Sequence, residues 1–409
     1  MHMTMNTASR VAVFSIGLLM SCSGDGPSSA TEPAGGASGS AASDGGNATS
    51  GSSTSAGTGG TTGSGGAGGS AVEAPGIQYF GRWDMSDPAN PSGSWGPIGV
   101  KAKFEGTSVR IKLNDPMNTF TYSIDGGEMK TLPASAQAER SIASGLVDGM
   151  HTLEFFRRSE GGYGKTVIGG LLLDPGKHLL APNARPPRKI EVVGDSISAG
   201  YADEGMNPST PQNENGYMAY GPQLARMLDA EWSVIAHSGQ GMYRNLCEQL
   251  PPMSLHMPDE FKMTHHPFAG GGHWDFGKWK PDVLIVTLGT NDFADYPAGS
   301  CTPPNDAAFI DAYKNFLTFA RSQYMDAHIF AVGTFVALVS NPFGKCNADI
   351  CNAVAMLNDK KMHCVDPSSP IMWLTGPGDY VGDWTHPTVA AHTKIATRLR
   401  DIIRPILGW

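Results

Sequence analysis

The chain has 409 residues, of which 40% are hydrophobic and only 16% charged, enough for two ordinary domains and an extended segment. Its formal net charge is −9 at pH 7 with no cluster of Lys and Arg, which argues against nucleic acid as the main partner, because phosphate binding rests on grouped cations. Neutral partners such as sugars fit this balance, although charge alone does not select them.

In chain order, Arg10 precedes an apolar run from Val11 to Met20, too short to span a bilayer and suited to the core of an export signal. The run ends in Leu19-Met20-Ser21-Cys22, which resembles a bacterial lipobox, where the cysteine sulfur takes a lipid. Residues 1–22 are therefore expected to be a lipoprotein signal peptide anchored through Cys22; an ordinary secretory signal with an incidental cysteine is the alternative. Without a second apolar stretch of spanning length, the expectation is an exported protein, held at the cell surface or in the periplasm, or secreted. Residues 23–75 are almost wholly Gly, Ser, Ala and Thr, cannot bury enough apolar surface to offset chain entropy, and are expected to be a disordered tether.

Residues 76–180 carry period-two alternation. Val100 to Glu105, Val109 to Asn114 and Phe120 to Asp125 alternate cleanly, and Asp125-Gly126-Gly127 supplies a turn. Short alternating strands with turn signals predict a small antiparallel β-sandwich. Its strands could offer a carbohydrate-binding face, or simply pack against the next domain. Residues 181–189, rich in Pro and Arg, form a linker.

From residue 190 to 409 strands alternate with helices. Ile190–Val193, Trp232–Ala236, Val283–Leu288 and His328–Val332 are the predicted strands. Helices are predicted over about 220–228 and 307–321, and from Thr388, where Val389, His392, Ile395, Leu399 and Ile402 share one face. This order implies a parallel sheet covered on both sides.

Polar clusters stand at the ends of three of these strands, where sites form in such folds. They are Gly194-Asp195-Ser196, His237-Ser238-Gly239-Gln240-Gly241 and Gly289-Thr290-Asn291-Asp292; a fourth, Gly382 to Pro387, precedes the last helix. A serine hydroxyl needs an adjacent base. His386 can take the proton of Ser196, and Asp383, three residues earlier, can orient the imidazole. The backbone N–H groups of Ser196 and Gly239 and the amide of Asn291 are candidate oxyanion donors, with Gly241 the alternative to Gly239. Asp195 and Asp292 are expected to be structural, Asp292 bracing the loop that carries Asn291.

Gly-Asp-Ser at 194–196, Ser-Gly at 238–239, Gly-Thr-Asn-Asp at 289–292 and Asp-x-x-His at 383–386 resemble, in order, the four blocks of the GDSL/SGNH hydrolases. The resemblance implies a three-layer α/β/α, flavodoxin-like catalytic domain with Ser196, Gly239, Asn291 and His386 in the defining roles. The α/β-hydrolase pattern Gly-x-Ser-x-Gly does not fit, because Ser198 stands at its second Gly. More narrowly, a β-sandwich followed by Gly-Asp-Ser-Ile-Ser-Ala-Gly-Tyr, His-Ser-Gly-Gln-Gly and Leu-Gly-Thr-Asn-Asp-Phe is similar to the family 2 carbohydrate esterases. That likeness implies a jelly-roll N-terminal domain and deacetylation of plant polysaccharides such as xylan and glucomannan, often at the 6-O position. It also implies an acetylated polysaccharide or oligosaccharide as partner, and no cofactor. Some members lack the triad acid and use a backbone carbonyl; with Asp383 present, a full triad is expected here. Trp384 is then placed to stack on a sugar. The rival readings are a GDSL-type lipase or arylesterase on non-sugar esters, and a non-catalytic sugar-binding surface lipoprotein. A monomer is the default.

The remaining features take bland readings or stay open. His265, His266, His273 and Asp275 could ligate a metal but are expected to be solvated, so no metal is assigned. Trp274, Phe276 and Trp279 either line a cleft or pack a long loop. His237 is expected to be a buried, hydrogen-bonded histidine. Besides Cys22, the chain has Cys247, Cys301, Cys346, Cys351 and Cys364, an odd number that leaves a thiol free or paired between chains. Cys346 and Cys351 are close enough in sequence for a small loop, but the pairing stays open.

Overall fold

The computed structural model describes residues 76–250, 252–295, 299, 301–336 and 342–409; the expected signal, Cys22 and the tether over 23–75 lie outside the described residues. Among the described residues no helix is long and apolar enough to cross a membrane.

The first domain holds ten strands: β1 (Ile77–Phe80), β2 (Ser92–Gly93), β3 (Gly99–Gly106), β4 (Val109–Asn114), β5 (Phe120–Ile124), β6 (Lys130–Leu132), β7 (Glu139–Ala143), β8 (Gly149–Arg157), β9 (Thr166–Leu173) and β10 (Leu179–Leu180). They form two antiparallel sheets, one ordered β1-β3-β8-β5-β6 with β10 on β3, the other β2-β9-β4-β7. The alternation in the sequence decides which face is inside: in β4, Val109, Ile111 and Leu113 are buried while Arg110, Lys112 and Asn114 are exposed. Between the sheets lie Val100, Phe104, Val109, Ile111, Phe120 and Phe155.

The second domain is a parallel sheet, order β12-β11-β13-β14-β15, made of β11 (Arg188–Gly194), β12 (Ala230–Ala236), β13 (Val283–Thr287), β14 (His328–Val332) and β15 (Met362–Val365). Helices are α1 (Ser196–Ala199), α2 (Tyr220–Met227), α3 (Met257–Glu260), α4 (Thr290–Phe293), α5 (Asp306–Gln323), α6 (Pro342–Leu357) and α7 (Val389–Leu407). Because β12 lies on one side of β11 and β13 to β15 on the other, right-handed crossovers send α2 to one face and α5 and α6 to the opposite one. The final helix α7 packs on α2, and α5 packs on α6. Thr388 caps α7 by accepting from the Ala391 N–H, and Gly408 ends it in the left-handed conformation. Every residue of β12 and β13 is buried, as in a sheet covered on both faces.

Among the elements of the second domain that escaped the sequence reading are α6 and β15. They are joined by a disulfide between Cys351 and Cys364; a second links Cys247 to Cys301, and Cys346 is a buried free thiol. The Cys346–Cys351 loop is not formed. Both residues lie on α6, and five residues at about 100° per residue turn their side chains toward different faces.

The domains are packed as a core is packed. Phe80, Trp95 and Phe156 of the first belong to the second domain's hydrophobic cluster. Phe156 lies 5.0 Å from Trp232 and 5.2 Å from Tyr217, ring centre to ring centre. Burying each such aromatic is worth about 1.5–3 kcal/mol. Beside them Arg82 pairs with Glu191 at 3.3 Å, both side chains almost wholly buried, and donates to the carbonyls of Phe261 and Met263 at 2.7 Å each. Trp274 and Phe276 lie against that guanidinium, Trp274 at 4.6 Å, so they pack the loop after α3 onto the interface rather than line a cleft. Residues 181–189 are tied down as well: Arg185 donates to Glu231 at 3.0 Å and to the Tyr79 carbonyl at 3.1 Å.

Candidate active site

Strand order reverses at β11, and the register aligns Gly194 with Ala236 on one side and with Thr287 on the other. The loops that leave these three residues therefore emerge side by side, at the switch point where open α/β sheets form sites. Gly194 must be glycine, since a Cβ there would sit 2.0 Å from the Ser198 hydroxyl. Asp195 caps α1 by accepting the Ile197 N–H at 3.0 Å, and this turn presents Ser196. Ser198, which broke the α/β-hydrolase pattern, donates or accepts in a buried hydrogen bond with the Tyr220 hydroxyl at 2.7 Å.

The turn before α7 supplies the partners. Gly382 and Trp384 both take positive φ, 96° and 59°. Asp383 Oδ1 accepts the N–H groups of Thr385 and His386, each at 2.9 Å, while Oδ2 meets His386 Nδ1 at 2.6 Å. His386 Nε2 lies 2.8 Å from Ser196 Oγ. Burial pushes the Asp383 carboxyl up, but the hydrogen bonds and charge of His386 outweigh it and hold it below the usual carboxylate range. Asp195 is fully buried with Oδ2 unpartnered among the described residues, and burial pushes its carboxyl up to about 6.

The loop after β12 distinguishes the two glycines. Gly239 has φ +81° and open space where a side chain would stand. Gly241 is enclosed: a Cβ would meet the Arg244 carbonyl at 1.9 Å, and its N–H is donated to Asn245 at 3.0 Å. Gly239 is thus the residue whose N–H can approach a substrate. One amide hydrogen of Asn291 goes to the Gln240 carbonyl at 2.8 Å, which orients the side chain and leaves its second hydrogen for a ligand. Asp292 braces a different loop from the one expected: its carboxylate accepts the N–H groups of Met242, Tyr243 and Arg244 at 2.7–2.9 Å. Arg244 answers by donating to the Asp292 carbonyl at 2.7 Å and to Ala294 at 3.0 Å.

Two sequence families match along this chain: the carbohydrate esterase 2 N-terminal domain over residues 79–182, and the GDSL-like lipase/acylhydrolase family over residues 192–394. The chain is 36% identical over 345 residues to the cellulase/esterase CelE of Acetivibrio thermocellus, covering 82% of this chain and 40% of the length of that protein. It is 26% identical over 339 residues to an acetylxylan esterase / glucomannan deacetylase of Cellvibrio japonicus, covering 78% of this chain and 88% of that one. A solved family two carbohydrate esterase from Clostridium thermocellum, in complex with cellohexaose, superposes with a TM-score of 0.72 at 33% identity, over 82% of this chain and all of that one. The chain belongs to carbohydrate esterase family 2.

In this family 2 chain the site holds a residue that the motifs did not single out. The Tyr201 ring stacks on His386 at 4.2 Å, and its hydroxyl donates to Asn207 at 2.9 Å. Its signal was the tyrosine ending Gly-Asp-Ser-Ile-Ser-Ala-Gly-Tyr. Trp384 stays 44% exposed beside Tyr380, so its face is open for a ligand.

The histidines of the long loop are not a solvated group. His265 bonds Ser92 at 3.2 Å and the backbone N–H of His266 donates to the Ser94 hydroxyl oxygen at 2.7 Å, both buried against the first domain, while His273 and Asp275 stay exposed and apart. His266 instead approaches His237 and Glu260, with one donor atom of each within 4.8 Å of the others. The Phe268 N–H donates to His266 Nδ1 at 3.2 Å, which fixes the proton on Nε2 and withholds that lone pair from a cation. His237 bonds Glu260 at 2.9 Å, as a hydrogen-bonded histidine rather than a second base.

Proposed function

We propose that this family 2 chain is a serine esterase that removes O-acetyl groups from carbohydrates through an acetyl-enzyme on Ser196. The observation that carries the reading is the continuous relay from Asp383 Oδ2 through His386 to Ser196 Oγ, at 2.6 and 2.8 Å. Ser196 Oγ attacks the acetyl carbonyl while its proton passes to His386 Nε2. The oxyanion meets the N–H groups of Ser196 and Gly239 and the free amide hydrogen of Asn291. On collapse the sugar oxygen leaves with the proton from His386. Water, deprotonated by the same nitrogen, then attacks the acetyl-serine; on collapse His386 returns the proton to Ser196 Oγ, and acetate is released. Acetylated xylan or glucomannan is the substrate class, supported by the activity named for the Cellvibrio japonicus relative and by the open face of Trp384.

The test is hydrolysis of p-nitrophenyl acetate by the full chain beside Ser196→Ala, followed by acetate release from acetylated xylan and glucomannan. Activity lost in the variant, falling with longer acyl chains and extending to the polysaccharides, supports the reading. Activity equal in both removes Ser196 from its role; preference for long acyl chains moves the chain to the lipases; sugar affinity without turnover moves it to the binding proteins. We further propose that Cys22 carries a lipid and tethers the enzyme outside the cell; labelled palmitate retained by Cys22→Ser would refute this.

A further inference from the structure

We propose that Glu160, at the tip of the first domain, is a positioning residue for the oxyanion-binding loop of the second; the inference rests on the esterase reading above. Glu160 follows β8 and is buried in the contact between domains. Its Oε2 accepts the Ser238 N–H at 2.7 Å. Ser238 immediately precedes Gly239, so fixing this peptide leaves only the two torsions of Ser238 between the anchor and the Gly239 N–H.

The tip itself is rigidly held. Arg157 donates to the carbonyls of Ser159 at 2.9 Å, of Gly164 at 2.6 Å and of Glu160. The Glu160 N–H donates to the buried carboxylate of Glu214 at 2.6 Å, and Glu214 accepts the Ser209 hydroxyl at 2.9 Å. Ser209 in turn accepts the N–H of Ala202 at 3.2 Å, next to the Tyr201 that stacks on His386. One loop of the first domain is thus bonded directly to Ser238 and, through Glu214 and Ser209 of the second domain, to the backbone beside Tyr201.

The rest of the Ser238 loop is held from within the second domain. Gly239 accepts the Leu246 N–H at 2.8 Å, Asn291 holds the Gln240 carbonyl, and Asp292 gathers residues 242–244. Glu160 fixes the opposite side of Gly239. A preorganised donor gains its effect by not moving when charge develops, and a loop freed at Ser238 would let the Gly239 N–H turn toward water. The first domain is therefore part of the catalytic frame, which the packing of two separate folding units would not require.

The experiment compares the full chain with Glu160→Ala and Glu160→Gln, measuring kcat and KM on p-nitrophenyl acetate, thermal stability, and hydrogen exchange of the 238–241 amides. Glu160→Ala is expected to lower kcat by about tenfold to a hundredfold with KM little changed, because the lost interaction supports the transition state. Exchange at Ser238 should accelerate. Glu160→Gln keeps an acceptor at the same place and should restore kcat to within about threefold of wild type. Glu160→Ala with unchanged kcat, or Glu160→Gln falling as far as Glu160→Ala in step with its melting temperature, would overturn the proposal and leave Glu160 a structural residue. Ser196→Ala in the same series separates the two readings. Activity that survives it refutes the esterase assignment, whereas Ser196-dependent activity indifferent to Glu160 refutes this inference alone.

Discussion

The two halves of the candidate centre are held by opposite means. Ser196 and the Asp383–His386 pair are positioned by the chain next to them: a strand end, an N-cap, a turn closed by its own aspartate. The loop from Ser238 to Arg244 has no regular structure, and side chains distant in sequence hold it, from Glu160, Asn291 and Asp292. Local placement makes Ser196 and His386 robust to changes elsewhere. Long-range placement makes the Ser238 loop depend on both domains.

After Ser196→Ala, Asp383→Asn gives the largest expected effect, and it is confined to the local half. Asn keeps an oxygen for the N–H groups of Thr385 and His386 but presents the wrong partner to His386 Nδ1. A fall in kcat of about 10³- to 10⁴-fold with unchanged melting temperature is expected. A loss under tenfold would mean that a backbone carbonyl, not this carboxylate, orients the imidazole. Asp292→Ala strikes the other half and should affect the fold as well. Three N–H groups, two of them buried and one partly so, lose their acceptor, which is expected to cost about 3 kcal/mol or more in urea unfolding. Ser196→Ala, by contrast, should stay within about 1 kcal/mol of wild type. Equal stability in the two variants would dissolve the distinction between the halves.

Trp384 tests the rim rather than the frame. Its φ of 59° suits glycine, so Trp384→Gly removes the ring without backbone strain. KM for an acetylated oligosaccharide should rise about threefold to tenfold, the worth of one stacking contact, while p-nitrophenyl acetate hydrolysis holds. An equal change on both substrates would place Trp384 in the acyl site instead of the sugar site.

The same division explains what the sequence made legible. Period-two alternation in β4 and the apolar run of β13 carry their burial in their own residues, and Thr388 announces α7. The triad candidates were legible because each sits in a short motif at a strand or turn. Glu160 lies in Arg157-Arg158-Ser159-Glu160, which has no catalytic pattern; only the docking of one domain on the other brings it to Ser238. Asp292 was assigned to its own loop because sequence proximity was the available guide, whereas its three partners lie some fifty residues earlier. The expectation of solvated histidines failed at His265 and His266 for the same reason: a polar neighbourhood in sequence became a buried interface in space. β15 was missed because Met362-His363-Cys364-Val365 is only four residues long and broken by His363, so it shows neither a sustained alternation nor an unbroken apolar run.

The smallest effect probes what lies under the Ser238 loop. His237 faces Glu260 at 2.9 Å, Glu160 nearby, and the His266 ring, which burial pushes down to about 3 so that it stays neutral. Burial alone would lower the pKa of His237, but the hydrogen bond and charge of Glu260, aided by Glu160, raise it above its ordinary 6.5. A folded-state value above the unfolded one means that the imidazolium adds stability at pH values below the ordinary one, and that this contribution is lost as pH rises through the folded value. The melting temperature should therefore decline as pH rises above the ordinary imidazole value, over the range in which His237 loses its proton. Glu260→Gln removes the charge that raises the value, so the decline should flatten in that variant. A slope identical in both proteins would mean that other groups set it, and that the His237–Glu260 bond is no firmer when charged than when neutral.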